Sequence, residues 1–145
     1  MIKGVGTDIV YIPHFQKVLS QTKEQIIQRL FTLEEQAYAE SRPALRVQTY
    51  AKRFAAKEAV AKALGTGIGD IAWTQIEVIN NPKGAPSIQL YGKLAEQLSS
   101  QHGRLNIHLS LSDDGDYAQA FVIIETDDFG NEPPHPANPK SNNRP

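Results

Sequence analysis

Two carboxylates stand where ionisation is costly. Glu58 interrupts the run Ala55-Ala56-Lys57-Glu58-Ala59-Val60-Ala61, on a helix whose small residues on nearly every face mark it as buried on several sides. An ionised group there needs a cationic partner, a metal ion or a route to water. Asp8 raises the same question in Ile2 to Val10, a β-branched, glycine-punctuated segment that reads as a buried strand ending at Asp8. Lys62 follows Glu58 by four residues, the favourable order for an ion pair along a helix, so one reading is a structural Glu58–Lys62 bridge. The matching reading of Asp8 is a cap or turn former for a helix opening near Pro13. Together Asp8 and Glu58 also permit a hard-cation site, since two carboxylates completed by water and a ligand phosphate form the usual magnesium pattern.

Positive residues cluster around the same helix. Arg46, Lys52, Arg53, Lys57 and Lys62 precede Gly65-Thr66-Gly67-Ile68-Gly69, where glycines let backbone N–H groups approach an anion, so cations and loop together can hold phosphates. The segment is not a P-loop. It lacks the Gly-Lys-Ser/Thr ending and follows the helix, whose C-terminal dipole end repels anions. Lysines on a helix are commonly just solvated, which is the competing reading. His108, Ser110 and Ser112 share a strand face; the grouping suggests nucleophilic catalysis but reads better as an ordinary polar face, with no Gly-x-Ser-x-Gly elbow. Trp73, Tyr91 and Tyr117 read as core or interface aromatics and His14 and His102 as surface residues; no zinc-type spacing exists.

The elements that position these groups follow from periodicity and punctuation. Pro13 suits the first turn of a helix through Phe15, Val18 and Leu19, and another helical stretch covers Gln25 to Leu30. Thr32-Leu33-Glu34-Glu35 is a capping box opening a helix to about Glu40. Ala44 to Leu64 is the longest helix, stopped by Gly65. Ile71 to Asn80 and Ser87 to Tyr91 form a hairpin across the turn-rich Asn80 to Pro86, and a helix runs from about Lys93 to His102. Leu105, Ile107, Leu109 and Leu111 alternate with polar residues on a strand whose partner is Tyr117 to Ile124. The expected fold class is α+β: one domain with a long central helix packed on antiparallel strands.

The 145 residues hold 15 Lys plus Arg, 16 Asp plus Glu, no Cys and 40% hydrophobic residues, enough for one domain that hides roughly 70% of its unfolded surface. The missing cysteines exclude thiolate catalysis, Cys-based zinc sites and disulfides. A net charge of −1 argues against a nucleic-acid partner, and the sequence carries no membrane-span or targeting pattern, which suggests a cytoplasmic protein. Five of the nine prolines fall in 125–145. The expected organisation is a folded unit over 1–125 and a Pro-rich, disordered tail over 126–145.

These motifs carry a family resemblance. Gly6-Thr7-Asp8-Ile9-Val10, the stretch from Lys52-Arg53-Phe54-Ala55-Ala56-Lys57-Glu58-Ala59 to Lys62-Ala63-Leu64-Gly65-Thr66-Gly67, the hairpin Glu77 to Pro86 and Tyr117-Ala118-Gln119-Ala120 resemble, in order, the holo-acyl-carrier-protein synthases, the small bacterial phosphopantetheinyl transferases. The first two motifs are the specific ones. The resemblance implies a 4'-phosphopantetheinyl transferase-like fold and a magnesium-dependent transfer of the 4'-phosphopantetheine arm of coenzyme A to a serine of apo-acyl carrier protein, releasing adenosine 3',5'-bisphosphate. It implies Asp8 and Glu58 as metal ligands and Lys62 on the coenzyme phosphates with Arg53, Lys57, Gly65 and Thr66 nearby. It also implies a homotrimer with coenzyme A at a subunit boundary, where the turn bearing Gly84 and Pro86 contributes to the nucleotide side. Asp113 follows Ser112 where many relatives have His, and the basic first helix used for carrier docking is here reduced to His14, Lys17, Lys23 and Arg29. The rival readings are a metal-dependent phosphohydrolase built on Asp8, Glu58 and Lys62, and a non-catalytic trimeric nucleotide-binding module.

Overall fold

A computed structural model describes residues 1–65 and 72–127. Strand β1 (Ile2–Tyr11) leads into helices α1 (Ile12–Gln21), α2 (Gln25–Leu30), α3 (Leu33–Glu40) and α4 (Arg46–Leu64), followed by the hairpin β2 (Ile76–Asn80) and β3 (Pro86–Leu90), helix α5 (Gly92–His102), and strands β4 (Leu105–Asp114) and β5 (Tyr117–Thr126). The first and last strands are neighbours: β1, β5 and β4 form an antiparallel sheet in that order, with Asp8 opposite Ala120, and β2 and β3 form a separate ribbon. The α+β architecture with a central helix on antiparallel strands is as expected. The Met1 ammonium donates to the Thr126 carbonyl at 2.8 Å, closing the two ends of the sheet on each other. β5 ends at Thr126, one residue past the expected boundary at 125, and residues 128–145 of the Pro-rich tail lie outside the described residues.

Local chemistry explains most element boundaries. Thr32 and Glu35 form the full reciprocal capping box at α3, the Glu35 N–H donating to the Thr32 hydroxyl at 3.2 Å and the Thr32 N–H to the Glu35 carboxylate at 3.0 Å. Gly65 ends α4 with φ of 72°, the left-handed stop its position suggests. Other boundaries differ from expectation. Ala44 and Leu45 belong to a short 3-10 turn, Pro43–Leu45, because Pro43 opens a tight turn before α4 begins at Arg46. Strand β2 starts at Ile76 after a second 3-10 turn, Trp73–Gln75, and residues 66–71 lie outside the described residues. β1 runs past Asp8 to Tyr11, so Asp8 sits inside the strand and caps no helix; the N–H of Ile12 is taken instead by the carbonyl of Asp116 at 2.7 Å.

Helix α4 lies across the three-stranded sheet and is buried on most sides, with Ala51, Ala55, Ala56, Ala59, Val60 and Ala63 inside the core. Facing it from the sheet are Val10, Ala118, Ala120, Val122 and Ile124, with Leu105, Ile107, Leu109 and Leu111 packed at the core's margin. Alanine on the helix and glycine on the strand let the two backbones meet. A Cβ at Gly6 would stand 1.9 Å from the Ala59 carbonyl oxygen and one at Gly4 1.8 Å from that of Ala63, inside any permissible contact. The opposite sheet face carries Val5, Ile9, Tyr11, Tyr117 and Phe121, all exposed, with the Tyr11 and Tyr117 rings 5.4 Å apart.

Since a methyl group at Gly6 meets main chain and not a yielding side chain, Gly6→Ala is expected to cost more than about 3 kcal/mol. Urea unfolding of the variant and the parent measures this. An unchanged midpoint would mean that helix and strand separate freely.

Candidate active site

The close contact between β1 and α4 sets the acids side by side. Asp8 projects from β1 toward the helix, Glu58 lies on α4 one residue before the Gly6 contact at Ala59, and both line one cleft. Lys62, one turn further along α4, reaches down to the strand: its ammonium donates to the Asp8 carboxylate at 3.1 Å and to the Thr7 carbonyl at 3.0 Å. The expected Glu58–Lys62 bridge therefore gives way to an Asp8–Lys62 pair, because β1 offers the amine two oxygens at once. Glu58 keeps only a through-space benefit from Lys62. Burial, then the neighbouring Asp8 charge, hold its carboxyl above the ordinary glutamate range.

An uncompensated carboxylate beside a second one is the donor set a hard divalent cation fits. No group of three or more His, Cys, Asp or Glu side chains gathers as metal ligands among the described residues. A cation held here would take two oxygens from Asp8 and Glu58 and draw its remaining ligands from water or a bound phosphate.

Along one face of α4, Phe54, Glu58 and Lys62 follow at successive turns. This row orders the site, with an apolar cleft at the Phe54 end, the acids in the middle and the amine at the far end. The cleft has a volume of about 630 Å³. Val10, Phe15, Ile26, Leu30, Phe54 and Trp73 supply its apolar walls, and His14 and Arg29 its basic side chains. The Trp73 ring packs tilted against Phe54 with centroids 5.4 Å apart, and Phe54 likewise against Phe15 at 5.7 Å. From the sequence Trp73 reads only as a core or interface aromatic, and the part of Phe54 in this wall was not assigned. The available signal was Phe54, placed one helical turn before Glu58.

The other expected phosphate contacts lie elsewhere. Lys57 is wholly buried and donates to Glu35 at 2.6 Å, to the Trp73 carbonyl at 3.1 Å and to the Ile76 carbonyl, so its ammonium has no face left for a phosphate, contrary to expectation. Arg53 is also buried; its guanidinium bonds Asn80 at 2.5 Å and lies 4.2 Å from the Tyr38 ring centroid, tying α4 to the β2–β3 ribbon instead of pointing into the cleft. Asn80 in turn donates to the Gly84 carbonyl at 3.0 Å, so Arg53 braces the turn that carries Gly84 and leads into Pro86. Neither Gly84 nor Pro86 lines the cleft, and Gly65 closes α4 beyond Lys62. Thr66 lies outside the described residues. Asp113 pairs with Lys52 at 2.8 Å, and His108 with Glu125 at 2.7 Å on the outer sheet face.

The raised Glu58 carboxyl has a sign that can be checked. A carboxyl whose folded value exceeds its unfolded one favours folding below the unfolded value, and that benefit is lost as pH rises through the folded value. In metal-free protein Glu58→Gln is expected to raise the melting temperature at neutral pH, and the gain should vanish below the ordinary glutamate range, where the parent is protonated too. A gain that is independent of pH, or a loss at neutral pH, would contradict the assigned electrostatics.

Comparison with known proteins gives this geometry a context. Residues 4–122 match the family model of the 4'-phosphopantetheinyl transferase superfamily. Holo-[acyl-carrier-protein] synthases from Bartonella bacilliformis and a Methylobacterium species are 48% and 45% identical to the chain over 130 and 129 residues, each alignment covering 86% of the chain and 96% and 95% of the relative. The crystal structure of holo-[acyl-carrier-protein] synthase from Neisseria meningitidis superposes with a TM-score of 0.78 at 35% identity, covering 87% of this chain and all of that one. The ACPS–CoA complex of Chronobacterium ammoniagenes superposes with a TM-score of 0.76 at 33% identity, covering 85% and 96%. With sequence and fold in agreement, the chain belongs to the 4'-phosphopantetheinyl transferase superfamily, within the family of holo-[acyl-carrier-protein] synthases.

Proposed function

We propose that the protein transfers the 4'-phosphopantetheine group of coenzyme A to a serine hydroxyl of apo-acyl carrier protein, leaving adenosine 3',5'-bisphosphate. The observation that carries this reading is the convergence of Asp8 and Glu58 on one cleft with Lys62 bonded to Asp8. Coenzyme A is bound by relatives of this fold, in the Chronobacterium ammoniagenes and Helicobacter pylori complexes.

Phosphoryl transfer depends on positioning and on neutralising charge, with attacking and leaving oxygens roughly in line. Magnesium held by Asp8 and Glu58 would neutralise charge on the diphosphate oxygens. Lys62, with its side chain 55% exposed, offers the amine that offsets charge on the departing bisphosphate. If the leaving group lies toward Lys62, the nucleophile approaches from the opposite end of the row, through the apolar cleft at Phe54 and Trp73. His14 and Arg29 in that cleft, with Lys17 and Lys23 on and just after α1, suit an acidic carrier. The serine proton would leave to Glu58 or to water in the cleft.

Assembly as a homotrimer accords with the exposed apolar face of the three-stranded sheet, where Val5, Ile9 and Phe121 are 54%, 63% and 42% exposed. It also accords with Gly84 and Pro86 lying on a ribbon outside the cleft, so that a neighbouring subunit's turn would complete the nucleotide end. No helix among the described residues is long and apolar enough to cross a membrane.

Incubation with coenzyme A, magnesium and apo-carrier, followed by weighing the carrier, tests the activity. A gain of one phosphopantetheine is expected, whereas free phosphate with unmodified carrier would indicate a hydrolase, and ligand retention without turnover a binding module. Asp8→Ala and Glu58→Ala should each abolish the gain while remaining folded; near-normal turnover by both at saturating magnesium would remove the assigned roles. The carrier's KM should rise with ionic strength, because a few solvent-exposed cations act through a screened field. A KM insensitive to salt would argue against docking at α1.

A further inference from the structure

The geometry points to Lys57 as a positioning residue for the carrier-facing wall of the cleft: from inside the core it fixes the main chain that carries Trp73, and it touches no substrate. This inference rests on the proposed transferase function. Lys57 and Glu35 have no exposed side-chain surface, and the three donors of the ammonium are all spent, on Glu35, on the Trp73 carbonyl and on the Ile76 carbonyl. Glu35 is equally committed. One of its oxygens also accepts from the Thr32 N–H at 3.0 Å, and the other accepts from the Val78 N–H at 3.1 Å.

The pair therefore joins three elements at one point: the capped start of α3, the middle of α4, and the 3-10 turn Trp73–Gln75 with the first residues of β2. The knot extends outward, since the Thr32 hydroxyl donates to Glu77 at 2.6 Å and the Tyr91 hydroxyl to the same carboxylate at 2.9 Å. Its inner end is the cleft. The carbonyl that Lys57 holds belongs to Trp73, whose ring rests on Phe54 and through it on Phe15, all three lining the cleft beside Glu58.

Stability alone explains this arrangement poorly. A buried ion pair gains little over well-packed apolar groups of similar volume, because desolvation offsets the attraction. A methionine in place of Lys57 would occupy much the same space, but it would leave the Trp73 and Ile76 carbonyls without the donor that draws them to α4. What the ammonium supplies, and an apolar group does not, is a fixed distance between Trp73 and the helix that bears Glu58.

The test uses the full chain and the double variant Lys57→Met with Glu35→Gln, which removes both charges and leaves neither unpaired. Trp73 is the only tryptophan, so its emission and its quenching by acrylamide report the wall directly, without any activity. In the folded double variant the emission should shift to the red and quenching should increase, while KM for apo-carrier rises about tenfold and KM for coenzyme A stays within about twofold. A folded double variant with parental fluorescence overturns the inference, as does one in which KM for coenzyme A rises as much as that for the carrier. Should the double variant fail to fold, Trp73→Ala decides, because it removes the wall but leaves the main-chain carbonyl for Lys57: an unchanged carrier KM would overturn the inference and a rise of about tenfold would support it. A parent protein that leaves the carrier unmodified would instead defeat the transferase reading, and the fluorescence of the double variant would still decide whether Lys57 holds Trp73.

Discussion

Everything at the site depends on how closely the backbone of α4 can approach that of β1. Gly4 and Gly6 present bare Cα atoms to the carbonyls of Ala63 and Ala59, and a single methyl group at either glycine would drive helix and strand apart. At this spacing a lysine on the helix can reach both a carboxylate and a carbonyl of the strand, and a glutamate one turn away falls under the influence of Asp8. A wider separation, of the kind larger side chains impose, would leave two acids on two elements with water between them.

Adjacent residues on α4 meet opposite fates. Successive side chains on a helix are about 100° apart, so Glu58 turns to the cleft and Lys57 to the interior. Among the described residues Glu58 has no bonded cation, a state that disfavours folding. Lys57 is matched by Glu35, although burial still draws its ammonium below the ordinary lysine range. The helix thus carries one charge toward the cleft and one into the core in consecutive positions. The neighbouring Arg53 follows the second pattern: burial lowers it as well, and it braces the turn of the ribbon.

The parts readable from the sequence were those set by local chemistry or strict periodicity. The capping box at Thr32 and Glu35, the stop at Gly65 and the alternation of Leu105 to Leu111 are all written within a few residues and all appear in the fold. Asp8 and Glu58 stood out because charge is conspicuous in an apolar setting. The fate of Lys57 could not be read in this way, since its partner lies 22 residues upstream and nothing in the helix itself distinguishes an inward lysine from a solvated one. Glu35 was visible as a cap but not as a counterion, because its second role depends on where α4 and β2 come to rest. The choice of Asp8 over Glu58 as the partner of Lys62 likewise required the strand to be in place.

The pairing of the first strand with the last has a consequence for synthesis. β1 gains its hydrogen-bonded neighbour only when residues 117–126 have left the ribosome, so Asp8 has no fixed place until nearly the whole described chain is available. Contacts this distant in sequence make for slow closure. During elongation β1 and α4 have each other but not the strand that joins β1 to β4, a period in which chaperones would find the apolar side of the nascent sheet open.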